Sequence, residues 1–331
     1  MRLQPLARHR VASLGEVGRA WHAGLPAALA ELGERWSLTW GRGLPGGSAS
    51  YVVAARTADG EDRVVKLRMP DPSAVTPGEV PVLAAATGHG YAVLHDHDAH
   101  HDALLLERLG RSLEQTPGEP TRTLDVLVDT LRESWRLPLR AVPAGEPKVL
   151  SLRALVLDTD ARLGHPADRD VLHQALAYAE ELAAPGPDPD VVVHGDAHPA
   201  NALRTAHPRA GAPAGHVMVD PDGFRCDPAY DLGVTLREWT ARLEREGRPL
   251  LEGWCDRVAE RSGVDRDRTW RWAYLERVAT GLHVLGFGGT VLGGRLLASA
   301  GALLDQPPPR RQHRPPLRPG PEANPGPTAR T

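Results

Sequence analysis

The feature that most constrains this chain is a polar loop followed at a fixed distance by a single aspartate. The loop runs from His194 to Asn201 and reads HGDAHPAN. Asp196 and Asn201 are five residues apart, and Asp220 lies nineteen residues after Asn201. Short apolar runs precede both the loop and Asp220, and such runs predict strands that could deliver these side chains to one place.

The spacing matches the D-x-x-x-x-N loop of a kinase, in which a strand hairpin leads to a further aspartate that holds magnesium. Phosphoryl transfer requires an acceptor for the hydroxyl proton and oxygen ligands for Mg²⁺. The pattern gives Asp196 the role of proton acceptor, and it makes Asn201 and Asp220 candidate metal ligands. The predicted strands are residues 191–193 and 216–219.

Two histidines in the loop leave an alternative open. His194 and His198 fit hydrogen-bonding roles that support the loop, but His-x-Asp-x-His can also place three metal ligands on one side of an extended segment. A zinc-dependent hydrolase that uses His194, Asp196 and His198 is therefore an alternative. Asn201 and Asp220 favour the kinase interpretation, because a zinc site does not require them.

A glycine-rich turn upstream is a candidate phosphate-binding loop. It includes Gly46, Gly47 and Ser48, and it lies between apolar segments. Backbone amides of such a turn can close over phosphate oxygens. An ordinary β-turn is the alternative, because glycines alone do not distinguish the two.

A lysine in the next strand pattern strengthens the nucleotide interpretation. Residues 51–55 predict a strand, Asp59-Gly60 is a strong hairpin signal, and residues 64–67 predict the returning strand. Lys66 lies inside that apolar strand, where its ammonium group needs an anionic partner such as the α- and β-phosphates. A solvated strand lysine is the alternative.

Glu79 is the candidate ion-pair partner of Lys66. The segment Thr76-Pro77-Gly78-Glu79 also has the pattern of a helix start, with Thr76 as N-cap, Pro77 at the first helical position and Glu79 at the third. Glu79 could therefore serve only the cap. Pro81 predicts an irregular helix.

Residues 95–102 (HDHDAHHD) resemble a metal site in composition. They lie between two apolar runs, 91–94 and 103–109, and we interpret them as a solvated hairpin turn. The end of the second run would connect the two halves of the chain. There the backbone around Glu107 and Leu109 would meet the purine edge of the nucleotide.

These motifs resemble the aminoglycoside phosphotransferase family, within it the subgroup of streptomycin 6-phosphotransferases and hydroxyurea-resistance kinases. The resemblance covers roughly residues 15–300. It is carried by residues 18–26, 46–70, 94–98, 104–109, 194–201, 219–223 and 227–232.

The resemblance implies a bilobal protein-kinase-like fold and transfer of a γ-phosphoryl group from ATP (or GTP), with Mg²⁺, to a hydroxyl of a small molecule. An aminoglycoside such as streptomycin would be the acceptor, with antibiotic resistance as the outcome. By position, Asp196 would be the catalytic base and Lys66 the phosphate-binding lysine, and Asp231 would order the loop. Ala197, Ala200 and the long connection 205–215 depart from the family pattern but spare the catalytic positions.

Composition limits the other classes of function. The net charge of −3 gives no indication of a nucleic-acid partner. Two cysteines, Cys226 and Cys255, form neither a disulfide framework nor a metal quartet, and the start of the chain lacks the apolar core of a signal peptide. We therefore expect a cytoplasmic protein with no membrane partner. Residues 278–294 lack charged side chains, but their six glycines and His283 favour a packed helix pair over a membrane span.

The order of patterns predicts an α+β fold with a small antiparallel-sheet lobe and a larger helical lobe. We expect residues 1–109 to form the nucleotide-binding lobe and residues 110–305 the catalytic and acceptor-binding lobe. Residues 306–331, with nine prolines, should be a disordered tail. Helical patterns occupy 122–136, 149–163, 167–184, 228–246, 250–262, 266–285 and 290–304.

The acceptor and the oligomeric state do not follow from the sequence. By family analogy the acceptor pocket would be lined by helix 228–246 and later helices. Its candidate residues are Asp222, Arg225, Glu238, Trp239 and Trp272. A kinase of another small metabolite, and a nucleotide-binding module without transfer activity, remain alternatives.

Overall fold

A five-stranded antiparallel sheet forms the N-terminal part of the computed structural model, which describes residues 3–45, 49–70, 78–116 and 118–304. The strands lie in the order β1-β2-β3-β5-β4. They are β1 (Leu38–Gly43), β2 (Ser50–Thr57), β3 (Asp62–Arg68), β4 (Leu94–Asp98) and β5 (Ala103–Glu107). Gly60 has a φ of +90° in the turn between β2 and β3, where glycine tolerates the left-handed backbone.

Two N-terminal helices, which the sequence patterns did not predict, cover one face of the sheet. They are α1 (Pro5–Ser13) and α2 (Gly15–Arg35). Leu29 and Leu32 of α2 share one buried cluster with Val65 and Leu67 of β3. Several glycines and Pro26 weaken the local helix signal in α2, so burial against the sheet decides its conformation.

The opposite face of the sheet carries α3 (Glu79–Ala86). The predicted N-cap, Thr76, and Pro77 lie outside the described residues. The helix begins at Glu79 itself, so the prediction of Glu79 at the third helical position is wrong, and no side-chain hydrogen bond caps this end. Gly78 precedes the helix because a Cβ there would lie 2.1 Å from the carbonyl oxygen of Asp222.

The tract 95–102 is not simply a turn, and that part of the prediction is wrong. Its first half lies in β4, which pairs with β5, and only the residues after Asp98 form the turn. Partners from the end of α2 hold this strand: Trp36 Nε1 donates to Asp96 and Arg35 donates to Asp98. Those partners are distant in sequence, so the local pattern could not reveal them.

Helices dominate the remainder of the chain. They are α4 (Pro120–Ser134), α5 (Lys148–Arg162), α6 (Arg169–Ala183), α7 (Ala229–Thr235), α8 (Thr240–Glu246), α9 (Arg248–Ser262), α10 (Arg266–Gly286) and α11 (Thr290–Gly301). Seven predicted helices correspond to these eight. The prediction of one continuous helix over 228–246 is wrong: Trp239, with a φ of 55°, separates α7 from α8 and packs edge-on against Trp254.

Two small antiparallel sheets frame the polar loop. One pairs β6 (Val191–Val193) with β9 (Phe224–Cys226), and the other pairs β7 (Ala202–Arg204) with β8 (His216–Met218). The short strands predicted before the loop and before Asp220 are therefore present. Together the sheet lobe and the helical lobe give the α+β, bilobal architecture that the sequence predicted.

The glycine-rich segment 278–294 forms the end of α10 and the start of α11, which pack against each other. Gly293 permits this close approach, because a Cβ there would lie 2.7 Å from the carbonyl oxygen of Gly281. None of the helices in the described part of the chain combines the length and the apolar character that crossing a membrane requires.

Candidate active site

Lys66 joins three elements of the fold in the cleft between the lobes. In β3, Val65 and Leu67 face α2, so the alternation of the strand directs Lys66 to the other side. There Lys66 Nζ lies 2.6 Å from Glu79 Oε1 at the start of α3 and 2.8 Å from Asp220 Oδ1 after β8. Burial alone would lower the pKa of Lys66, but the charges of Asp220 and Glu79 outweigh it and raise that pKa.

Asp220 occupies an unusual backbone conformation. Its φ is 58°, a region that non-glycine residues seldom adopt. The Asp220 side chain is 38% exposed, so one face of the carboxylate is open to the cleft while Oδ1 contacts Lys66. Strain of this kind often persists at functional sites, where the surrounding structure fixes it.

The loop 194–201 places Asp196 and Asn201 together. A short 3₁₀ turn, Pro199–Asn201, brings the Asn201 amide back so that Nδ2 donates to the carbonyl oxygen of Asp196 at 3.1 Å. Because Nδ2 makes this hydrogen bond, the side-chain oxygen of Asn201 points away from the carbonyl oxygen of Asp196. The carbonyl oxygen of Asn201 accepts from the Val219 amide, which ties the loop to the residue before Asp220.

Asp231 holds the start of this loop. It is fully buried at the beginning of α7, where its carboxylate accepts from the backbone amides of His194 at 2.8 Å and Gly195 at 2.9 Å. Trp135 Nε1, from the end of α4, donates to the same carboxylate at 2.9 Å. Burial raises the pKa of Asp231, whereas these three donors favour its ionised form.

His194 is committed to the backbone through both ring nitrogens. Nδ1 accepts from the Asp196 amide at 3.1 Å, so the proton lies on Nε2, which donates to the carbonyl oxygen of Val219 at 2.8 Å. His194 therefore cannot join Asp196 and His198 in binding zinc. In the described residues these three side chains do not form a cluster with metal-binding geometry. The zinc-hydrolase alternative is wrong for this reason.

Asp196 lies between a guanidinium group and an imidazole ring. Arg237 Nη2 lies 2.9 Å from Oδ1, and His198 Nε2 lies 3.3 Å from Oδ2. Burial alone would raise the pKa of Asp196, but the hydrogen bond from His198 and the charge of Arg237 outweigh it and hold that pKa well below its usual range. Asp196 is therefore ionised throughout the neutral pH range, as a proton acceptor must be.

Sequence reasoning missed Arg237. It stands just beyond α7, and its Nη1 also reaches Thr280 at 3.1 Å and Glu276 at 3.5 Å on α10. No spacing rule links position 237 to position 196. The end of α7 lies against the loop, since Thr235 Oγ1 donates to the carbonyl oxygen of Ala197 at 2.8 Å, and Arg237 follows two residues later.

The candidate purine-binding segment is held by a residue from the other lobe. Arg209, in the connection between β7 and β8, donates to both carboxylate oxygens of Glu107 at 2.8 Å. The Glu107 carboxylate also accepts from the Val93 amide. Within the described residues, the backbone of Leu109 has no hydrogen-bond partner, so its N–H and carbonyl groups are available. Gly46, Gly47 and Ser48 lie outside the described residues.

Three of the five acceptor-pocket candidates divide into two groups. Trp272 is 2% exposed and packs edge-on against Tyr230, and Arg225 donates to the carbonyl oxygens of Leu139 and Val142. These two side chains are used within the protein itself. Asp222, by contrast, lies close to Asp196. Burial raises the pKa of Asp222, and the negative charge of Asp196 raises it further.

The chain is similar to known proteins over most of its length. The sequence pattern of the aminoglycoside/hydroxyurea antibiotic resistance kinase family matches residues 35–286. The streptomycin 6-kinase of Streptomyces griseus is 32% identical over 306 residues, which are 90% of this chain and 95% of that kinase. The streptomycin 6-kinase of Streptomyces glaucescens is 31% identical over 280 residues, 82% of this chain and 86% of that kinase.

The fold is also found among solved structures. A choline/ethanolamine kinase family protein from Mesorhizobium loti superimposes with a TM-score of 0.59 at 16% identity, covering 86% of this chain and 95% of that one. At this identity the similarity concerns the fold alone. The architecture is thus the protein-kinase-like fold.

Proposed function

The chain belongs to the aminoglycoside/hydroxyurea antibiotic resistance kinase family, and on that premise we propose that it transfers the γ-phosphoryl group of ATP to a hydroxyl of streptomycin or a closely related aminoglycoside. Membership of this family identifies the chain as a phosphotransferase that acts on a hydroxyl group. The identity of the acceptor is our inference from the named relatives. GTP is the alternative phosphoryl donor.

One observation carries the proposal. Lys66 Nζ lies 2.8 Å from Asp220 Oδ1, although the two residues are 154 positions apart in the chain. The contact joins the candidate phosphate-binding lysine of the sheet lobe to the candidate metal ligand of the helical lobe. A cleft with a lysine ammonium group on one wall and carboxylates on the other suits a nucleoside triphosphate bound together with a divalent metal ion.

The side chains around the cleft fit Mg²⁺. Asn201 and Asp220 offer the amide and carboxylate oxygens that this ion prefers, and Asp220 is open to the cleft. Mg²⁺ held by these residues would supply positive charge that neutralises the charge developing during transfer. Lys66 would contact the α- and β-phosphates, and Glu79 would hold Lys66 in place.

Asp196 would act on the acceptor. Its carboxylate accepts the proton of the acceptor hydroxyl while the hydroxyl oxygen forms a bond to the γ-phosphorus. The bond from that phosphorus to the β–γ bridging oxygen breaks, and ADP leaves. Asp231 and His194 hold the loop so that Asp196 keeps this position.

We assign residues 1–109 to the nucleotide-binding lobe and residues 110–305 to the catalytic and acceptor-binding lobe. The backbone of Glu107 and Leu109 would meet the purine, and Gly46, Gly47 and Ser48 would cover the phosphates. The proline-rich tail 306–331 lies outside the described residues. We place the reaction in the cytoplasm, where ATP is available and the buried thiols of Cys226 and Cys255 stay reduced.

The test is nucleotide-dependent phosphorylation by the purified full-length chain. We expect ADP release to depend on streptomycin, and mass spectrometry of the product should show one added phosphate group. Asp196→Asn should slow the reaction by about 10²–10⁴-fold, whereas Asp190→Asn, which changes an exposed aspartate before β6, should not. Nucleotide binding without turnover on aminoglycosides, hydroxyurea or sugars would favour the non-catalytic alternative, and absence of nucleotide binding would refute the proposal.

A further inference from the structure

The turn between β4 and β5 approaches α2 through three potential metal ligands. Glu31 lies on α2, and His100 and His101 lie in the turn. His101 Nε2 is 2.8 Å from Glu31 Oε2, and one ligand atom from each of the three residues lies within 4.8 Å of the others. Among the described residues this is the one group of three or more histidine, cysteine or acidic side chains with such geometry.

The neighbouring charged side chains are already paired, which leaves this trio available. Asp96 accepts from Trp36, Asp98 accepts from Arg35 and from the His101 amide, and Asp102 contacts Arg68. The two arginines near the trio are therefore neutralised by carboxylates. A cation at the trio would meet one carboxylate and two imidazoles, without an unpaired arginine beside it.

The three ligand atoms need to move only a small distance to bind one ion. Ligands about 2.0–2.1 Å from zinc in a tetrahedral site lie roughly 3.3–3.4 Å apart. Glu31 and His100 are exposed on the surface, so their side chains can close the remaining distance. The two imidazole rings already lie with centroids 4.6 Å apart and planes at 68° to each other, so they need not stack to approach one ion.

Space is available for a fourth ligand. A cavity of about 350 Å³ between α2 and the sheet is lined by Glu31, His100 and His101, and also by Trp21 and Arg68. A water molecule can occupy that space. Three protein ligands with one open position are typical of zinc sites that exchange a ligand.

We propose that Glu31, His100 and His101 bind one transition-metal ion of intermediate softness, with Zn²⁺ as the best match to two imidazoles and a carboxylate. The ion would link α2 to the β4–β5 turn on the outer side of the sheet lobe, away from the loop 194–201. It would be separate from the Mg²⁺ of the proposed phosphoryl transfer. The site does not depend on the proposed function, and its failure would leave that function untouched.

The experiment measures zinc binding by the full-length chain after treatment with a chelator. Zn²⁺ is titrated against a chromophoric competitor with Mg²⁺ in excess, so that sites made only of oxygen ligands are filled. We expect one tightly bound Zn²⁺ per chain, and Co²⁺ in its place should give the intense visible bands of a four- or five-coordinate ion. Thermal unfolding should shift to higher temperature with Zn²⁺.

Variants locate the ion. The double variant His100→Ala/His101→Ala should lose the bound ion, and Glu31→Gln should weaken binding at least about tenfold, a loss that even outer ligand partners produce. His207→Ala removes an exposed histidine from the β7–β8 connection and should bind like the wild type. The proposal is overturned if the wild type binds no Zn²⁺, or if either the double variant or Glu31→Gln binds as the wild type does. Glu31→Gln changes an exposed helix residue, so it keeps the test decisive should the double variant not fold.

Discussion

Arg237 Nη2 lies 2.9 Å from Asp196 Oδ1, so the proposed base is ion-paired before any acceptor arrives. Arg237 is itself shared, since its Nη1 lies 3.5 Å from Glu276 Oε2. Loss of Arg237 should therefore have two separable effects. One concerns the charge and position of Asp196, and the other concerns a carboxylate on α10 that is left buried without its cation.

We expect Arg237→Ala to lower both activity and stability. Leaving a buried carboxylate unpaired costs about 3 kcal/mol or more in the free energy of unfolding. Adding Glu276→Gln should restore much of that stability, as measured by urea unfolding. The loss of kcat should persist in the double variant, because it arises at Asp196. Recovery of kcat together with stability would show that Arg237 has only a structural role.

Asp196→Asn should reduce kcat by about 10²–10⁴-fold, the usual contribution of a positioned base. The side chain keeps its size but loses its ion pairs with Arg237 and His198, so the unfolding temperature should also fall, and kcat is compared at a temperature where both proteins are folded. Steady-state kinetics with ATP and streptomycin measure the effect, and the exposed Asp190→Asn is the matched control. Normal turnover by Asp196→Asn would remove Asp196 from the mechanism.

Lys66→Met should reduce kcat/KM for ATP by about 10²–10³-fold, the size of effect seen when a preorganised electrostatic contact is removed. Glu79→Gln should have a smaller effect, because Lys66 keeps its contact with Asp220. Arg56→Met changes an exposed cation on β2 and should leave the kinetics unaltered. Equal effects of Lys66→Met and Arg56→Met would contradict a phosphate-binding role for Lys66.

His198 predicts a pH dependence of stability. Burial alone would lower its pKa, but the hydrogen bond and the charge of Asp196 outweigh burial and raise that pKa above the ordinary value of 6.5. The stabilising contribution of protonated His198 is therefore complete below pH 6.5 and is lost as the pH rises through the raised pKa. Urea unfolding from pH 6 to pH 9 should show this decline, which should be absent in His198→Gln and present in His207→Gln.

Asp231→Asn should destabilise the chain by about 1.5–3 kcal/mol or more, because hydrogen bonds to a buried carboxylate are lost. An amide offers one acceptor oxygen where the carboxylate serves three donors. Trp135→Phe removes only one donor and should cost less in urea unfolding. If kcat falls in Asp231→Asn without a change in stability, the role of Asp231 lies in positioning the loop alone.

The short-range part of this architecture could be predicted from the sequence. The spacing of Asp196, Asn201 and Asp220 is set by one loop and one hairpin, and a lysine within an apolar strand is visible without a structure. Arg237 could not be predicted, because its partner is 41 residues away and the contact depends on how α7 packs against the loop. The helix α2 was not predicted, because its glycines and Pro26 weaken the local helix pattern. Packing on the sheet stabilises the helix instead.

The Arg209–Glu107 pair has a mechanical consequence. It fastens the β7–β8 connection to the end of β5, and Arg209 also donates to the carbonyl oxygen of Tyr91. A rotation of the sheet lobe that keeps this pair intact would have the pair as its axis. Such a rotation would open the cleft by separating Lys66 on β3 from Asp220 in the helical lobe.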